Sequence, residues 1–500
     1  MRKFFLALAL LPSLAIAQFE GSSFTSTGRG GATTFATDYQ CLGINPANLG
    51  WHSKFSDKKF ALGFNEMTYS VFSEALSKTD LRNSIKELIK GNGKDFTYDE
   101  KIAAAESFAK TGLALNVDYG SFGFGYGDDK FGGIAFRIND RFQWYSKFGD
   151  KASELLFLGK TASYFDSLHV LLANGDTATY ANTAANLATL DRDSILNGFA
   201  SLPKKMSEIL DGSDISLSWT REWNVSYGRK LFGDSTFAMY LGVGMKYYQG
   251  IGMLNIKSEN GKMEAFSSLS PAFQIDYKTQ AAEATNQIKS DKFFPPKPVG
   301  QGFGFDFGLN VVIKNKVKIG AALINMGSIK WTGNVYTVKD SALSLSNANG
   351  LNNFNVYSQL GDIMGKNGLL NLVGQKDTTI KLPGMMRGGI SFMLGKKVEL
   401  GFDALIPFNE VPGSYKQGIF GFGGDITPVK WVKFSVGFVT GGNTNFEKLD
   451  KSNVKVPIGI TFNGGDGSYE IGIASRDAIT FFTQNGPTLS LSMGFMRFRF

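Results

Sequence analysis

The stretch GFGFDFGLNVVI, from Gly302 to Ile313, alternates as far as Val311. Phe303, Phe305, Phe307, Leu309 and Val311 hold the odd positions, and Gly302, Gly304, Asp306, Gly308 and Asn310 hold the even ones. An extended strand sends successive side chains to opposite faces, so this pattern predicts one continuous apolar face and one small or polar face. A helix would scatter the same residues around its surface. The period recurs at Val317/Ile319/Ala321/Leu323, Val398/Leu400/Phe402/Ala404, Phe434/Val436/Phe438, Ile458/Ile460/Phe462 and Leu489/Leu491/Met493/Phe495. Strand signals dominate outside a few long insertions.

The pattern predicts fourteen strands, starting near residues 59, 113, 130, 215, 236, 302, 316, 384, 397, 415, 430, 455, 467 and 487. Six connections are tight: 127–130, 231–235, 314–316, 395–397, 427–430 and 463–467. Seven others alternate with them, several very long: 73–112, 148–214, 258–301, 341–383, 409–414, 444–454 and 483–486. This count takes 261–278 as a hairpin inside a loop. Short turns at one end and long loops at the other are what a membrane-spanning antiparallel β-barrel requires. Helix-like segments at 80–90 and 100–110, and the insertion 148–214, predict lids above such a barrel.

Composition agrees with a strand-built wall. Gly is 60 of 500 residues and Phe 44, but Pro is only 13. Beyond the N-terminus there is no run near 18 apolar residues, so no transmembrane helix is expected; alternation hides a barrel's apolar band from window hydropathy. Residues 1–17, MRKFFLALALLPSLAIA, join a basic start (Arg2, Lys3), an apolar core and an Ala15-Ile16-Ala17 cleavage site, and read as a secretory signal peptide. Cys41 is the single cysteine, which leaves no intramolecular disulfide framework in an exported chain. Net charge is +8, and about +6 without Arg2 and Lys3; it is scattered, which argues against nucleic-acid binding.

Enzyme chemistry finds little support. The two histidines, His52 and His169, are far apart in sequence, and no G-x-S-x-G, H-E-x-x-H or P-loop occurs. Gly-rich runs such as GFGYGDDKFGG alternate as strands with no helix following, so they are not phosphate cradles. GGDG at 464–467 lacks the spaced carboxylates of a calcium loop. No metal, cofactor or catalytic residue is assigned. Arg137, Asp306, Lys318, Glu399, Asp403, Asp425 and Glu470 share the face opposite the apolar stripes. They form either a charged pathway or, as the default for this architecture, a solvated barrel lumen. Trp431, one residue past a tight turn, suits an interfacial aromatic girdle. The chain ends SLSMGFMRFRF; a terminal aromatic, Phe500, after an alternating strand is what barrel-assembly machinery reads, and the slip in parity between Phe495 and Phe498 predicts a bulge.

After the leader the chain runs STGRGGATTFATDYQCLGINPANLG. Gly28-Arg29-Gly30-Gly31, Asp38 and Asn45-Pro46-Ala47 resemble the N-terminus of the fatty-acid transporter (FadL, OMPP1) family. The motif DYQ-LGINPANLG also resembles a Bacteroidetes-type group of outer-membrane proteins of unknown function. The resemblance implies a fourteen-stranded outer-membrane barrel whose N-terminal segment folds into the lumen as a hatch, and passive inward passage of hydrophobic molecules. It also brings in a second role of this barrel type, as a shuttle component of type IX secretion. Where the transporter pattern follows Asn-Pro-Ala with glycine, this chain has Asn48-Leu49-Gly50. Locally, Pro46 disfavours helix at Asn45, whose side chain can close a turn.

The expectation is therefore an all-β transmembrane barrel: signal peptide 1–17, hatch 18–57 and barrel 58–500. It sits in the outer membrane among lipid and takes up or binds a hydrophobic or amphiphilic molecule. The alternative is a binding or scaffold barrel for a secretion or surface-attachment machine.

Overall fold

The structure, a computed structural model, describes residues 23–30, 34, 36–51, 58–73, 95–270, 273, 296–338, 341–351, 370–395, 397–409, 411, 414–415, 417–442, 454–464, 467–478, 482 and 488–500. The signal peptide, the 80–90 segment, Gly31 and His52 lie outside these residues.

Fourteen antiparallel wall strands close on themselves. The first seven are β1 (Phe60–Phe72), β2 (Leu113–Asp128), β3 (Gly132–Lys147), β4 (Asp214–Gly233), β5 (Phe237–Glu259), β6 (Gly300–Ile313) and β7 (Val317–Val338). Next come β8 (Leu370–Lys381, resuming at Met385–Leu394), β9 (Val398–Pro407), β10 (Ile419–Val429) and β11 (Val432–Gly441). The last are β12 (Val454–Lys455, resuming at Ile458–Gly464), β13 (Tyr469–Ser475) and β14 (Thr488–Arg499). Each pairs with its neighbour, and β14 pairs with β1 from Ala61↔Arg499 to Phe72↔Thr488. The seam is tied further by the Phe500 carbonyl, which accepts from the Lys59 and Phe60 amides at 2.8 and 3.1 Å. Closure leaves no wall edge with unpaired backbone, which a bilayer would not tolerate.

All six tight turns fall at one end and all seven long connections at the other. The 314–316 turn shows why the short ones stay short. Lys314 and Asn315 both adopt positive φ (49° and 52°), the geometry that matches the twist of two paired strands.

Alternation has an inverted meaning here. Phe303 and Phe438 on the outer face are 53% and 54% exposed, while Asp306 and Glu470 on the inner face are 1% and 4% exposed. Exposed aromatics over buried charges are unfavourable in water and favourable where lipid covers the outside. Among the described residues no helix is long and apolar enough to cross a membrane. Trp431 is exposed at the short-turn end and stacks on Phe462 at 6.3 Å. The slip near the C-terminus is present: β13 pairs Gly472↔Gly494 but Glu470↔Arg497, which leaves one extra residue on β14.

The long-loop end departs from expectation in two places. The 148–214 insertion is not simply helical. It holds a helix (Asp150–Leu158) and three strands (Ser167–Leu171, Thr177–Ala181, Ile195–Lys205) that form a small sheet with Ala342–Ser346. Three of the four strands have only five residues, too few to signal themselves, and Ala342–Ser346 arrives from a distant loop. The 341–383 connection is not all loop either, because Leu370–Lys381 extends the wall by pairing with the upper half of β7. The 261–278 region behaves as a hairpin where described: Lys262–Leu269 folds back on β5.

A helix at Tyr98–Lys110 is set by a capping box. Thr97 Oγ1 accepts from the Glu100 amide, and Glu100 Oε2 accepts from the Thr97 amide at 2.7 Å. It packs on the Asp150–Leu158 helix through Phe108 and Phe157 (5.0 Å), and both cluster with Phe72, Leu113 and Leu217 of the wall. In this lid, burial lowers the pKa of Lys101 and of Lys160. The carboxyl of Asp166 is held below its usual range by the Ser201 hydroxyl and then the Ser201 amide.

Candidate functional site

The described residues between 23 and 51 lie inside the barrel. The segment starts with a four-residue helix, Phe24–Thr27, capped by Ser23, and Phe24 rests where Gly472 of β13 and Gly494 of β14 leave space. It then passes β12, β11 and β10: a methyl group at Gly28 would lie 2.9 Å from the Gly459 backbone, and the Arg29 carbonyl sits against Gly423 and Gly437. A turn of 3-10 helix, Asp38–Cys41, brings it to β14, β1 and β2. The Tyr39 ring fills the space left by Gly63 and Gly123, and its hydroxyl donates to Glu66 at 2.7 Å. A second 3-10 turn, Pro46–Gly50, is capped by Asn45, whose Oδ1 accepts from the Ala47 amide at 2.9 Å. Pro46 and Ala47 press on Gly242 of β5 and Gly228 of β4.

The glycines of the Phe-Gly alternation therefore have a packing reason: phenylalanine covers the outside, and the missing Cβ admits the inner segment's backbone. Asn45 Nδ2 donates to the Leu309 and Ala321 carbonyls at 3.3 Å each, and the Asn310 amide lies between Asn45 and Asn48. Cys41 is fully buried beside Leu42, Ile44 and Leu49, with Ala61 and Ala135 from the wall.

The inner charges are paired rather than solvated, which corrects the expectation of a water-filled polar lumen. Arg29 Nε meets Asp425 at 2.8 Å, with Lys433 at 3.9 Å. Asp38, at a positive φ of 50°, is held by Arg497 at 2.7 Å and Arg499 at 3.5 Å. Arg497 also pairs with Glu470. Arg137 lies 3.5 Å from Glu66, which accepts from Gln40 Nε2 at 2.8 Å. Asp306 pairs with Lys246 at 2.9 Å and takes the Asn325 amide at 2.9 Å. Lys318 meets Glu399 at 3.5 Å and sits 3.2 Å over the Trp51 ring. Asp403 is buried against Gly389, next to Thr34. The physical reason is occupancy. The segment displaces the water that would have solvated these groups, and buried charges persist only when paired.

Sequence reasoning had not singled out Glu66, Lys246, Glu222 or Arg497. The signal was available for the first three, which share strand parity with inward-facing neighbours; the bulge in β14 hid Arg497. His169 lies in the lid sheet, stacked on Phe199 at 6.0 Å, far from these charges in the chain. Among the described residues no group of three or more His, Cys, Asp or Glu could hold a metal ion.

Cavities adjoin the inner segment on both sides. A cavity of about 350 Å³ is lined by Leu42, Gly43 and Ile44 with Arg137, Arg141 and Lys246. It shares Arg141 and Glu222 with a larger chamber of about 500 Å³ toward the long-loop end, walled in part by Trp331, Tyr248 and Leu382. On the short-turn side, a third cavity of about 480 Å³ is lined by Thr37, Asp38, Leu49, Trp51 and Arg499, among others.

The model of a family of unknown function (DUF5723) matches residues 195–446, just over half of the chain. The chain belongs to this family. No curated protein sequence matches it. Among solved structures, the Pseudomonas putida toluene transporter TodX is 11% identical, with a TM-score of 0.39 over 97% of this chain and 98% of that one. The Ralstonia pickettii toluene transporter TbuX is 11% identical, with a TM-score of 0.41 over 97% of this chain and 100% of that one. A Pseudomonas aeruginosa FadL homologue is 11% identical, with a TM-score of 0.38 over 97% of each chain.

Proposed function

We propose that the chain is an outer-membrane barrel for passive uptake of small hydrophobic or amphiphilic molecules, with residues 18–57 as its hatch. One observation carries this reading: cavities stand on both sides of a single inner segment, and that segment is what separates them. A structural filler would have no need of a chamber above it. The exposed aromatic belt supports lipid as the surrounding medium, and residues 1–17 support export. Phe500, at the closing seam, is the signature proposed for recognition by assembly machinery. Gly28, Arg29, Asp38, Asn45, Pro46 and Ala47 are proposed as the residues that seat the hatch. The test is flux of a hydrophobic fluorophore into liposomes carrying the purified barrel. Saturable flux that increases when 18–50 is deleted is expected; no flux from either form overturns the proposal.

The second reading, a docking barrel for a secretion or attachment machine, draws on exposed apolar residues of the lid sheet, Leu202 at 84% and Leu345 at 49%. Crosslinking in intact cells that recovers no envelope partner through the lid would rule it out.

A further inference from the structure

The net charge that lies scattered along the chain gathers at one end of the barrel. Among the described residues, nine exposed Lys and Arg stand at the short-turn end against three aspartates, Asp128, Asp129 and Asp234. The opposite end has the reverse balance: residues 150–214 carry nine acidic residues and five basic. Five of the six tight turns bring one or two cations each, so no run in the sequence announces them. Lys314 and Lys316 come from the β6–β7 turn, Arg229 and Lys230 from the end of β4, and Lys430 from the β10–β11 turn. Lys130 and Lys397 add the β2–β3 and β8–β9 turns, and Lys58-Lys59 the seam between β14 and β1. The cations therefore ring the circumference instead of forming a patch on one flank.

The aspartates do not neutralise this ring. Asp128 is taken by Lys59 at 2.7 Å. Asp234 turns into its own loop, where it accepts from the Thr236 and Phe237 amides at 2.7 and 3.1 Å. Among the described residues no carboxylate forms an ion pair with Arg229, Lys314, Lys316 or Lys430.

The wall sets the height of the ring. On β6 every odd residue from Phe303 to Ile313 is apolar. Ten residues at about 3.3 Å each, tilted about 40°, cover about 25 Å, the height of an outer-membrane apolar band. Gln301 closes that band toward the long loops, paired across the sheet with Gln249 and Lys330. Lys314 and Lys316 stand at its other edge. Exposed apolar side chains reach the same level between the cations: Phe131, Phe232, Leu394 and Trp431. Arg229 keeps the lipid-facing parity of Val225 and Tyr227, and its long stem carries the guanidinium to the boundary. Cations and apolar groups at one level match the plane where acyl chains meet headgroups.

We propose that this rim holds the phosphate groups of anionic phospholipids in the adjoining leaflet, as a ring of lipid around the barrel. Each Lys or Arg close to an anionic membrane surface adds about fivefold to the association. A single acidic protein would cover one arc and leave the other turns bare. The inference concerns the outer wall and does not depend on what the lumen carries.

The test places the full barrel in nanodiscs of equimolar phosphatidylglycerol and phosphatidylcholine with the same acyl chains. Native mass spectrometry after transfer to mild detergent identifies the lipids retained. Phosphatidylglycerol is expected to be retained at least fivefold over phosphatidylcholine, and added salt is expected to weaken that preference. Arg229→Gln, Lys314→Gln, Lys316→Gln and Lys430→Gln together are expected to bring the two lipids close to parity. Lys204→Gln, Lys205→Gln and Lys257→Gln, at the long-loop end, are expected to leave the preference unchanged. Heat-modifiable gel migration shows that each variant is folded. In intact cells, Trp431→p-benzoylphenylalanine is expected to crosslink to phospholipid on illumination. Equal retention of the two lipids by the wild type, or a preference that survives the four rim substitutions, overturns the inference. Crosslinking to one discrete polypeptide in place of lipid overturns it as well.

Discussion

Cys41 gives the protein a native reporter of hatch undocking, because it is the single thiol of the chain and is fully buried in the inner segment. Consider Tyr39→Ala. The ring is 1% exposed and lies in the space left by two wall glycines, so its removal leaves a cavity that the barrel backbone cannot close. Truncating a buried aromatic to alanine costs about 3–5 kcal/mol. Loss of the hydroxyl adds little, since Glu66 keeps Gln40 at 2.8 Å and Arg137 at 3.5 Å. Taking about 4 kcal/mol, and about 1.4 kcal/mol per factor of ten, the undocked population rises about 10³-fold. In the regime where reclosing outruns modification, the rate of Cys41 alkylation by a small maleimide rises by the same factor. Tyr39→Phe removes only the hydrogen bond, about 1 kcal/mol, and is expected to raise the rate about fivefold. The assay is mass spectrometry of maleimide-treated barrel in nanodiscs, with gel migration confirming that the wall is intact. Rapid alkylation of the wild type, or equal rates in Tyr39→Ala and Tyr39→Phe, would refute a docked, tyrosine-pinned hatch.

Four further outcomes follow from the same geometry. Arg29→Met leaves Asp425 with the Ser435 hydroxyl at 2.6 Å and Lys433 at 3.9 Å, and breaking a buried pair costs about 3 kcal/mol; Cys41 alkylation is expected to accelerate although Arg29 is twelve positions away, and an unchanged rate would deny that the segment undocks as a unit. Gly123→Val drives a side chain into the Tyr39 ring, so single-channel conductance in planar bilayers is expected to rise while the barrel stays folded. Phe303→Lys places a charge on the lipid-facing surface at a cost of about 2–4 kcal/mol near the bilayer midplane, and is expected to reduce folding yield into liposomes far more than Phe303→Leu. The folded-state pKa of Asp166 is depressed, so its contribution to the lid is complete above the ordinary carboxylate range and is lost as pH falls through the depressed value. Hydrogen exchange at the Ser201 amide, corrected for intrinsic rate, should therefore lose protection on acidification, and Asp166→Asn should abolish that dependence.

Strand parity and turn spacing by themselves specify the wall. The Phe303-to-Val311 alternation assigns each residue to lipid or lumen, and the glycine-rich even positions mark where something must come close. That is legible because strand period is a local property, enforced at every residue by the same backbone geometry. Asn45-Pro46 likewise announced a capped turn from its own side chains.

What fills the lumen was not legible, because it depends on contacts across hundreds of positions. Arg29 finds Asp425, and Asp38 finds Arg497, only once fourteen strands have closed around the segment. The lid sheet needs a strand from 342–346 to meet one from 195–205, and the Trp331 face of the chamber needs a bulge that reverses parity midway along β7. The sequence by itself therefore determined which way the wall residues face wherever no bulge reverses the parity. Tertiary structure alone decided that the inner charges find counter-charges across the lumen, since that pairing is a property of the enclosed volume and not of any strand.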